Sequence, residues 1–376
     1  MATTVADTPK EFNITERLGG KNKALPEIWN KDTPNLHLIT CTEKCDTKEK
    51  DLNGLIYDIT TKKVMCMSIP DIREIDIASA ENILSAVFAD YNVETLYDGT
   101  MIRMYCVNGK WLCATSRNTD ARNVTWITDK NFDTLFTKAL EYTYKVPRNV
   151  FTERLVQTNT YYFILMTPEN RNIIVHSSSH VILSAVYSNE TFTSSPNILT
   201  LGDSAPSDMR KKHTFSTLKS ALDYLRSSDC TEETQAGLVF LNKHTNVGYK
   251  IYSFKYNHIK SLRGNNNYIL YVIVENLTKG TIKEFLQYYP EYTNLYANIL
   301  KEIDFLINKV HEIYYNGKKA ENIAFLSNKE SYRIILSELQ EKYLNTKKSP
   351  DIQDIRRIIT SYKAPVLGTF LGIYNK

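Results

Sequence analysis

Cysteine, histidine and glycine are the residue types that most often form metal sites and phosphate-binding loops, and their spacing here favours neither. Cys41 and Cys45 have no second cysteine pair and no nearby histidine to complete the four ligands of a zinc site. His176 and His180 lie four residues apart, but on a predicted strand and loop, where this spacing does not form the metal-binding pair of a helix. Gly19-Gly20 is the only pair of consecutive glycines, and no phosphate-binding pattern surrounds it. We expect no metal site.

The composition is that of a folded protein with a weak positive charge. A chain of 376 residues suits two domains, and 42% hydrophobic with 23% charged residues excludes wholesale disorder. The net charge of +4 permits contact with nucleic acid without requiring it. Six scattered cysteines suit a reducing compartment, the first ten residues lack the apolar core of a signal peptide, and no run approaches about 18 apolar residues. We therefore expect a cytoplasmic protein with no membrane contact.

The clearest local signal is a β-hairpin over residues 101–116. Asn108-Gly109 suits a two-residue type I′ turn, which needs positive φ at both central residues. The strand before the turn covers 101–106 and the returning strand covers 110–116. Alternation along the returning strand places Trp111 and Cys113 on one face, with the neighbouring side chains on the other.

The other segments predict an α+β protein in which a β-rich domain precedes an all-helical one. Strands are predicted at 36–41, 54–58, 64–69, 161–166, 173–175, 181–187, 237–241 and 248–252, with helices at 77–89, 132–144 and 214–225. Beyond a polar stretch at 263–267 the pattern becomes helical, with a last helix that starts with Ser349 as N-cap and Pro350 in its first turn. The predicted domains are a polar N-terminal arm over 1–35, a domain over 36–267 and a helical domain over 268–376.

The order of these segments resembles the covalent nucleotidyltransferase superfamily, and most closely the bacteriophage-type RNA ligases and ligase-like proteins of large DNA viruses. Asn53-Gly54-Leu55-Ile56-Tyr57-Asp58 is similar to an early family strand that usually starts with Arg. Four further segments are similar to the family motifs Lys-x-Asp-Gly, Phe-Glu-x-x-x-Pro-x-Asn-x-Ile-Val, Glu-Gly-x-Val and Lys-x-Lys; they begin at Leu96, Phe163, Ala236 and Lys250. The resemblance covers about residues 36 to 263 and implies a ligase-like nucleotidyltransferase domain.

The departures from these motifs remove the charged groups that the family's chemistry uses. The family attacks the α-phosphate of ATP with a lysine amine, and this position is Leu96, whose side chain has no lone pair. Carboxylates of the third and fourth motifs are replaced by Ile164 and Ala236, and the second lysine of the last motif by Tyr252. Such groups supply the electrostatic stabilisation of nucleotidyl transfer. The resemblance therefore implies a catalytically degenerate protein, for which no cofactor is expected.

Two other functions stay open on the sequence alone. An active enzyme would use ATP and Mg²⁺ and would need a relocated nucleophile, for which Lys110 and Lys250 are the candidates because both lie on strands predicted to border one pocket. A protein-interaction scaffold would use the C-terminal helices, where tyrosines are available for a partner or for self-association: Tyr288, Tyr289, Tyr292 and Tyr296.

A degenerate ligase that keeps its cleft is expected to bind RNA or a nucleotide. The residues predicted to form that site are Asp98, Arg103, Arg117, Phe163, Lys250 and Lys255. Further basic side chains and aromatic rings suited to stacking on bases are Arg122, Lys260, Arg263, Tyr97, Trp126 and Tyr256. The alternative is that these residues are ordinary surface charges and core aromatics.

Overall fold

The computed structural model describes residues 27–30, 33–40, 52–190, 210–227, 235–244, 247–266, 268–316 and 330–373. The chain divides into two compact units, Met1–Asn257 and His258–Lys376. The predicted α+β class, with strands before helices, is confirmed. The division between the units lies at residue 257, whereas the change of composition placed it at residue 267.

The described strands all lie in the first unit. In chain order they are β1 (Glu27–Asn30), β2 (Thr33–Ile39), β3 (Ile56–Asp58), β4 (Val64–Cys66), β5 (Asp71–Glu74), β6 (Tyr91–Tyr97), β7 (Thr100–Val107), β8 (Lys110–Ala114), β9 (Asn159–Met166), β10 (His180–Ser188), β11 (Lys212–His213), β12 (Gln235–Asn242) and β13 (Val247–Tyr252). β1 pairs with β2, so the polar arm predicted over 1–35 ends in a strand of the first sheet.

The α-helices of the described residues fall in both units. They are α1 (Ile77–Leu84), α2 (Phe132–Tyr144), α3 (Arg148–Thr152), α4 (Leu218–Arg226), α5 (Phe254–Arg263), α6 (Ile269–Lys279), α7 (Ile282–Tyr288), α8 (Thr293–Asn316), α9 (Glu330–Thr346), α10 (Ile352–Ser361) and α11 (Ala364–Phe370). The division between the units lies within α5. No helix of the described residues is long and apolar enough to cross a membrane.

Three sheets form the first unit. The first has the order β1-β2-β3-β4, the second β10-β9-β7-β8 and the third β11-β6-β12-β13-β5. All strand pairs are antiparallel except β13 with β5. The predicted hairpin is confirmed as β7 and β8, with positive φ at both Asn108 and Gly109.

The second and the third sheet each have one face covered by helices. The second sheet packs Phe163, Leu165 and Ile102 against α2, whose buried side chains repeat at helical spacing. The third sheet packs Leu238 and Phe240 against α1 and α4. The opposite faces of these sheets therefore turn toward each other, and we call the space between them the inter-sheet cleft. Residues of both sheets line one cavity there.

The second unit is all-helical, as predicted. Its core is one cluster of buried side chains from α6 to α11. The N-cap of α10 is Asp351, which forms a capping box with Asp354, so the prediction of Ser349 as the N-cap is wrong. Gly317, which the periodic pattern places after the end of α8, lies outside the described residues.

The tyrosines predicted for a self-interface pack inside the helical unit. Tyr289 is 1% exposed, and its ring stacks on Phe285 at 4.8 Å between ring centres. Tyr288, Tyr292 and Tyr296 also pack against the core of this unit. Tyr289 is therefore a core residue, whereas the other three rings keep a partly exposed surface, so their use by a partner or a second copy stays a prediction.

Candidate functional site

The resemblance predicts lost charged groups at four positions, which we call the degenerate positions, and three of them lie side by side in the third sheet. Leu96 on β6 pairs with Gly237 on β12, and Gly237 pairs in turn with Tyr252 on β13. Ala236 precedes Gly237 at a point where the β6–β12 register shifts, which is typical of a β-bulge. A Cβ atom on Gly237 would lie 2.8 Å from the Cα of Tyr252, so glycine is required for this close approach.

The fourth degenerate position faces this group from the second sheet. Ile164 on β9 forms a buried apolar cluster with Met166 and Ile182, and Tyr97 packs against it. A Cβ atom on Gly99 would lie 2.6 Å from Cγ2 of Ile164, so the turn after Tyr97 is pressed against β9. The structure thus brings the four positions into one region of the cleft. Apolar side chains fill the part of this region beside Tyr97.

Asp98 is a buried carboxylate of this region with three hydrogen-bond donors. It is 4% exposed, and its Oδ2 accepts hydrogen bonds from the backbone N–H groups of Ile173 (3.0 Å) and Ile174 (2.7 Å). Its Oδ1 accepts one from the hydroxyl of Tyr256 at 2.8 Å. These bonds tie a loop and the start of α5 to the turn after β6. The prediction of a strand at 173–175 is wrong, because the Asp98 carboxylate, and not a strand, binds these amides.

His176 completes the same connection from the other side of the turn. Its Nε2 lies 2.9 Å from the backbone oxygen of Asp98, so Nε2 carries the proton and donates it. The buried Nδ1 has no hydrogen-bond partner among the described residues. Burial lowers the pKa of His176, although Asp98 acts in the opposite direction.

Arg103, predicted to contact a nucleotide or RNA, is completely buried instead. Its guanidinium donates to the backbone oxygens of Gly54, Met67 (2.9 Å) and Thr115 (2.8 Å). These three carbonyl groups belong to separate segments, so Arg103 joins the second sheet to the loops around it. With no exposed surface, it cannot reach a ligand in the cleft.

Phe163 also lies away from the cleft. Its ring packs among the side chains beneath α2, with ring centres 5.3 Å from Phe136 and 6.3 Å from Phe151. Because neighbouring residues of a strand point to opposite faces, Ile164 faces the cleft and Phe163 does not. The prediction that Phe163 contacts a nucleotide is therefore wrong.

The predicted basic residues are only partly brought together. Lys250 is half-buried two residues from Tyr252, with its Nζ 5.5 Å from the centre of that ring and 3.6 Å from Oε2 of Glu74. Arg117 and Lys255 are exposed, and no described residue forms a hydrogen bond with either side-chain head. Of the three, Lys250 is the one adjacent to the degenerate positions.

Lys110, the other candidate nucleophile, lies at the wrong end of the second sheet. It follows the hairpin turn and pairs with Val107, whereas the turn at Gly99 precedes the first residue of β7. Seven residues of strand separate Thr100 from Val107, which is roughly 24 Å. Lys110 therefore does not border the pocket of Leu96, contrary to the prediction.

Sequence analysis missed a buried arginine elsewhere in the cleft. Arg210 is 8% exposed and lines the cavity between the two sheets. Burial lowers its pKa, while Glu94 and Tyr187 act to raise it. The only sequence signal was the basic run Arg210-Lys211-Lys212, which follows a polar segment. Burial also raises the pKa of Glu94, against the opposing effect of Arg210.

The chemistry available at the degenerate positions is limited by these side chains. None of the four side chains, Leu96, Ile164, Ala236 and Tyr252, is an amine or a carboxylate. Among the residues that the structure describes, no group of three or more His, Cys, Asp or Glu side chains is arranged to hold a metal ion. Lys250 is the amine placed beside this region.

Comparison with known proteins gives a distant viral relative and a set of ligase structures. No protein-family model matches the sequence. An immediate-early protein ICP-46 homolog of Invertebrate iridescent virus 6 is 23% identical over 270 residues, which are 68% of this chain and 59% of that protein. The chain therefore spans less than two thirds of the viral protein's length.

The similar solved structures are ATP-dependent DNA ligases and RNA ligases. A putative ATP-dependent DNA ligase from Aquifex aeolicus is 13% identical with a TM-score of 0.43, covering 93% of this chain and 75% of its own. An archaeal ATP-dependent RNA ligase is 12% identical with a TM-score of 0.41, covering 86% and 72%. An RNA ligase of Naegleria gruberi with ATP and Mn is 15% identical with a TM-score of 0.37, covering 51% and 58%. Similarity at this level assigns neither a site nor an activity to this chain.

Proposed function

We propose that the protein is a catalytically degenerate RNA-ligase-like protein that binds nucleic acid or a nucleotide as an accessory factor, without forming a covalent lysine–nucleotide. The observation that carries the proposal is the register of Leu96, Gly237 and Tyr252, with Ile164 facing them from the second sheet. Four uncharged residues at motif positions would be weak support for a lost active site if they were scattered through the fold. Their convergence on one region is what the loss of a single active site predicts.

Two features support retention of the cleft. Glycines at motif positions 99 and 237 still allow the close backbone contacts that shape it. Asp98, which lost its lysine neighbour to Leu96, still ties the turn to α5 and to the loop at 173–174. The fold of the region is therefore maintained by interactions that do not need a reaction.

A labelling experiment tests the loss of chemistry. The full chain is incubated with α-labelled ATP or GTP and Mg²⁺ and run on a denaturing gel, beside a phage-type RNA ligase as positive control. No labelled band is expected, because leucine cannot bond to phosphorus. A band that disappears in Lys250→Ala but persists in Lys110→Ala would refute the proposal and establish Lys250 as the nucleophile. Lys110 is the matched control because it lies at the far end of the sheet.

RNA binding is tested separately by filter binding over a range of salt concentrations. We expect the affinity for single-stranded RNA to fall as salt rises, since phosphate contacts release counterions. Lys250→Ala or Arg117→Ala should each reduce the salt slope by about 0.7 if that residue contacts one phosphate. Salt-independent retention, or no binding at micromolar protein to single-stranded or duplex RNA, would contradict the accessory RNA-binding function.

A further inference from the structure

The inter-sheet cleft contains a cavity that borders Ile164 on the second sheet, where the lining residue Met101 pairs with it, but lies away from the other three motif-like positions on the third sheet. Its volume is about 310 Å³. Asn92 lines it from β6, four residues before Leu96, which corresponds to about 14 Å along the strand. Asn242 lines it at the end of β12 that is remote from Gly237. Neither a motif residue nor a predicted site residue lines this cavity.

Arg210 is the unusual side chain of the cavity. It is buried, and its Nε has no hydrogen-bond partner among the described residues. Among those residues it also forms no ion pair, and the cavity lining contains no aspartate or glutamate. Glu94 is near enough to interact with Arg210 electrostatically, but it does not line the cavity.

A buried guanidinium whose Nε has no hydrogen-bond partner among the described residues is costly in this position. A buried cation needs an anion and hydrogen-bond acceptors to offset the hydration that it has lost. Arginine also keeps its proton under all ordinary conditions, so the cost is not relieved by deprotonation. The same side chain would be well placed if the cavity held an oxyanion, because its planar fork donates two parallel hydrogen bonds to phosphate oxygens.

The remaining lining fits a phosphorylated small molecule. Lys243 stands at the exposed mouth of the cavity and adds positive charge, and the ring nitrogens of the neighbouring His244 offer hydrogen bonds, which suits a phosphate monoester. Met101, Tyr162 and Tyr187 supply apolar and aromatic surface for the organic part of the ligand. A cavity of about 310 Å³ is at the small end of ligand pockets, which favours a small molecule over a nucleic-acid strand.

We propose that this cavity binds the phosphate monoester of a small molecule, with Arg210 as the phosphate ligand. The positive charge of Lys243 attracts the dianion to the mouth of the cavity, where His244 offers it a hydrogen bond. The proposal does not depend on the loss of ligase chemistry or on RNA binding, since neither Arg117 nor Lys250 lines the cavity.

The test is the thermal stability and calorimetric affinity of the full chain with inorganic phosphate and with adenosine 5′-monophosphate. Both ligands should raise the melting temperature by mass action. Arg210→Met should weaken binding of the monophosphate by about tenfold or more, and Lys243→Ala by a few-fold. Arg210→Met should fold at least as well as the native chain without ligand, because it removes a buried charge that forms no ion pair among the described residues.

Lys212→Ala is the matched control. It removes one positive charge two residues from Arg210, on an exposed position of β11 that does not line the cavity. Equal losses in Lys212→Ala and Arg210→Met would show diffuse attraction and overturn the proposal. So would the absence of binding by the native chain, or displacement of the monophosphate by RNA with only internal phosphodiesters at equal phosphate concentration. Unchanged RNA binding in Arg210→Met would keep this outcome distinct from the RNA-binding test.

Discussion

Replacing Asp98 tests whether this carboxylate is a structural tie. In Asp98→Ala, three donors lose their acceptor: the N–H groups of Ile173 and Ile174 and the hydroxyl of Tyr256. Each unsatisfied buried donor costs about 1–3 kcal/mol. Because such losses are not additive, we expect the free energy of unfolding to fall by about 4 kcal/mol.

Asp98→Asn separates the charge from the geometry. The amide oxygen can still accept from the two backbone N–H groups, while the amide nitrogen donates to the Tyr256 oxygen. The loss is then limited to the difference between charged and neutral hydrogen bonds, for which we expect about 1–2 kcal/mol. The predicted order of stability is native, then asparagine, then alanine.

Tryptophan fluorescence makes this measurement specific to the first unit. The chain has 3 tryptophans, Trp29, Trp111 and Trp126, and all precede the division at residue 257. The melting temperature measured by tryptophan emission should be about 8–16 °C lower for Asp98→Ala than for the native chain. In a domain of this size, each kcal/mol lost lowers the melting temperature by about 2–4 °C.

The control for these melts is Asp90→Ala. Asp90 is exposed, and no described residue hydrogen-bonds to its carboxylate, so a change below about 0.5 kcal/mol is expected. A loss below 1 kcal/mol in Asp98→Ala would refute the structural role. It would leave Asp98 available as a ligand of nucleotide or RNA, as the family resemblance suggested.

The other predictions concern single contacts around the same region. Arg103→Met should lower the free energy of unfolding by about 3–5 kcal/mol, because three buried backbone oxygens lose their donor. Urea unfolding followed by tryptophan emission measures this loss, and a loss below about 1 kcal/mol would contradict the prediction. Gly99→Ala should cost about 1–3 kcal/mol in the same assay, because the added Cβ would lie 2.6 Å from Ile164 Cγ2 and from the Leu165 oxygen; an unchanged midpoint would show that the turn can move. His176 has a lowered pKa in the folded chain, so the unfolded chain binds the proton first and stability should fall as pH drops below about 6.5. His176→Gln keeps a donor to Asp98, and its melting temperature should depend less on pH between 7.5 and 5.5 than that of the native chain. An equal pH dependence of the two melting temperatures would refute the prediction.

The sequence by itself determined the local elements and their order. Asn108-Gly109 fixes a hairpin turn because few other residue pairs adopt positive φ twice in succession. The helix over Phe132–Tyr144 was predicted with its exact bounds, because its apolar residues follow helical spacing and Asn131 caps its start. Each of these signals is local, because the residues that carry it belong to the turn or helix that they specify.

Tertiary structure decided which side chains face the cleft. Residues Thr160 to Met166 on β9 are all buried, so the sequence has no alternation that distinguishes Phe163, under α2, from Ile164, in the cleft. Asp98 and Ile173 are separated by 75 residues, and no local pattern indicates that a carboxylate replaces strand pairing there. Arg210 resembles any other basic surface residue until two sheets enclose it. Pairing and burial between distant segments are set by the packing of the whole unit, and this is why the motif-like segments could be identified in the sequence but the spatial neighbours of their residues could not.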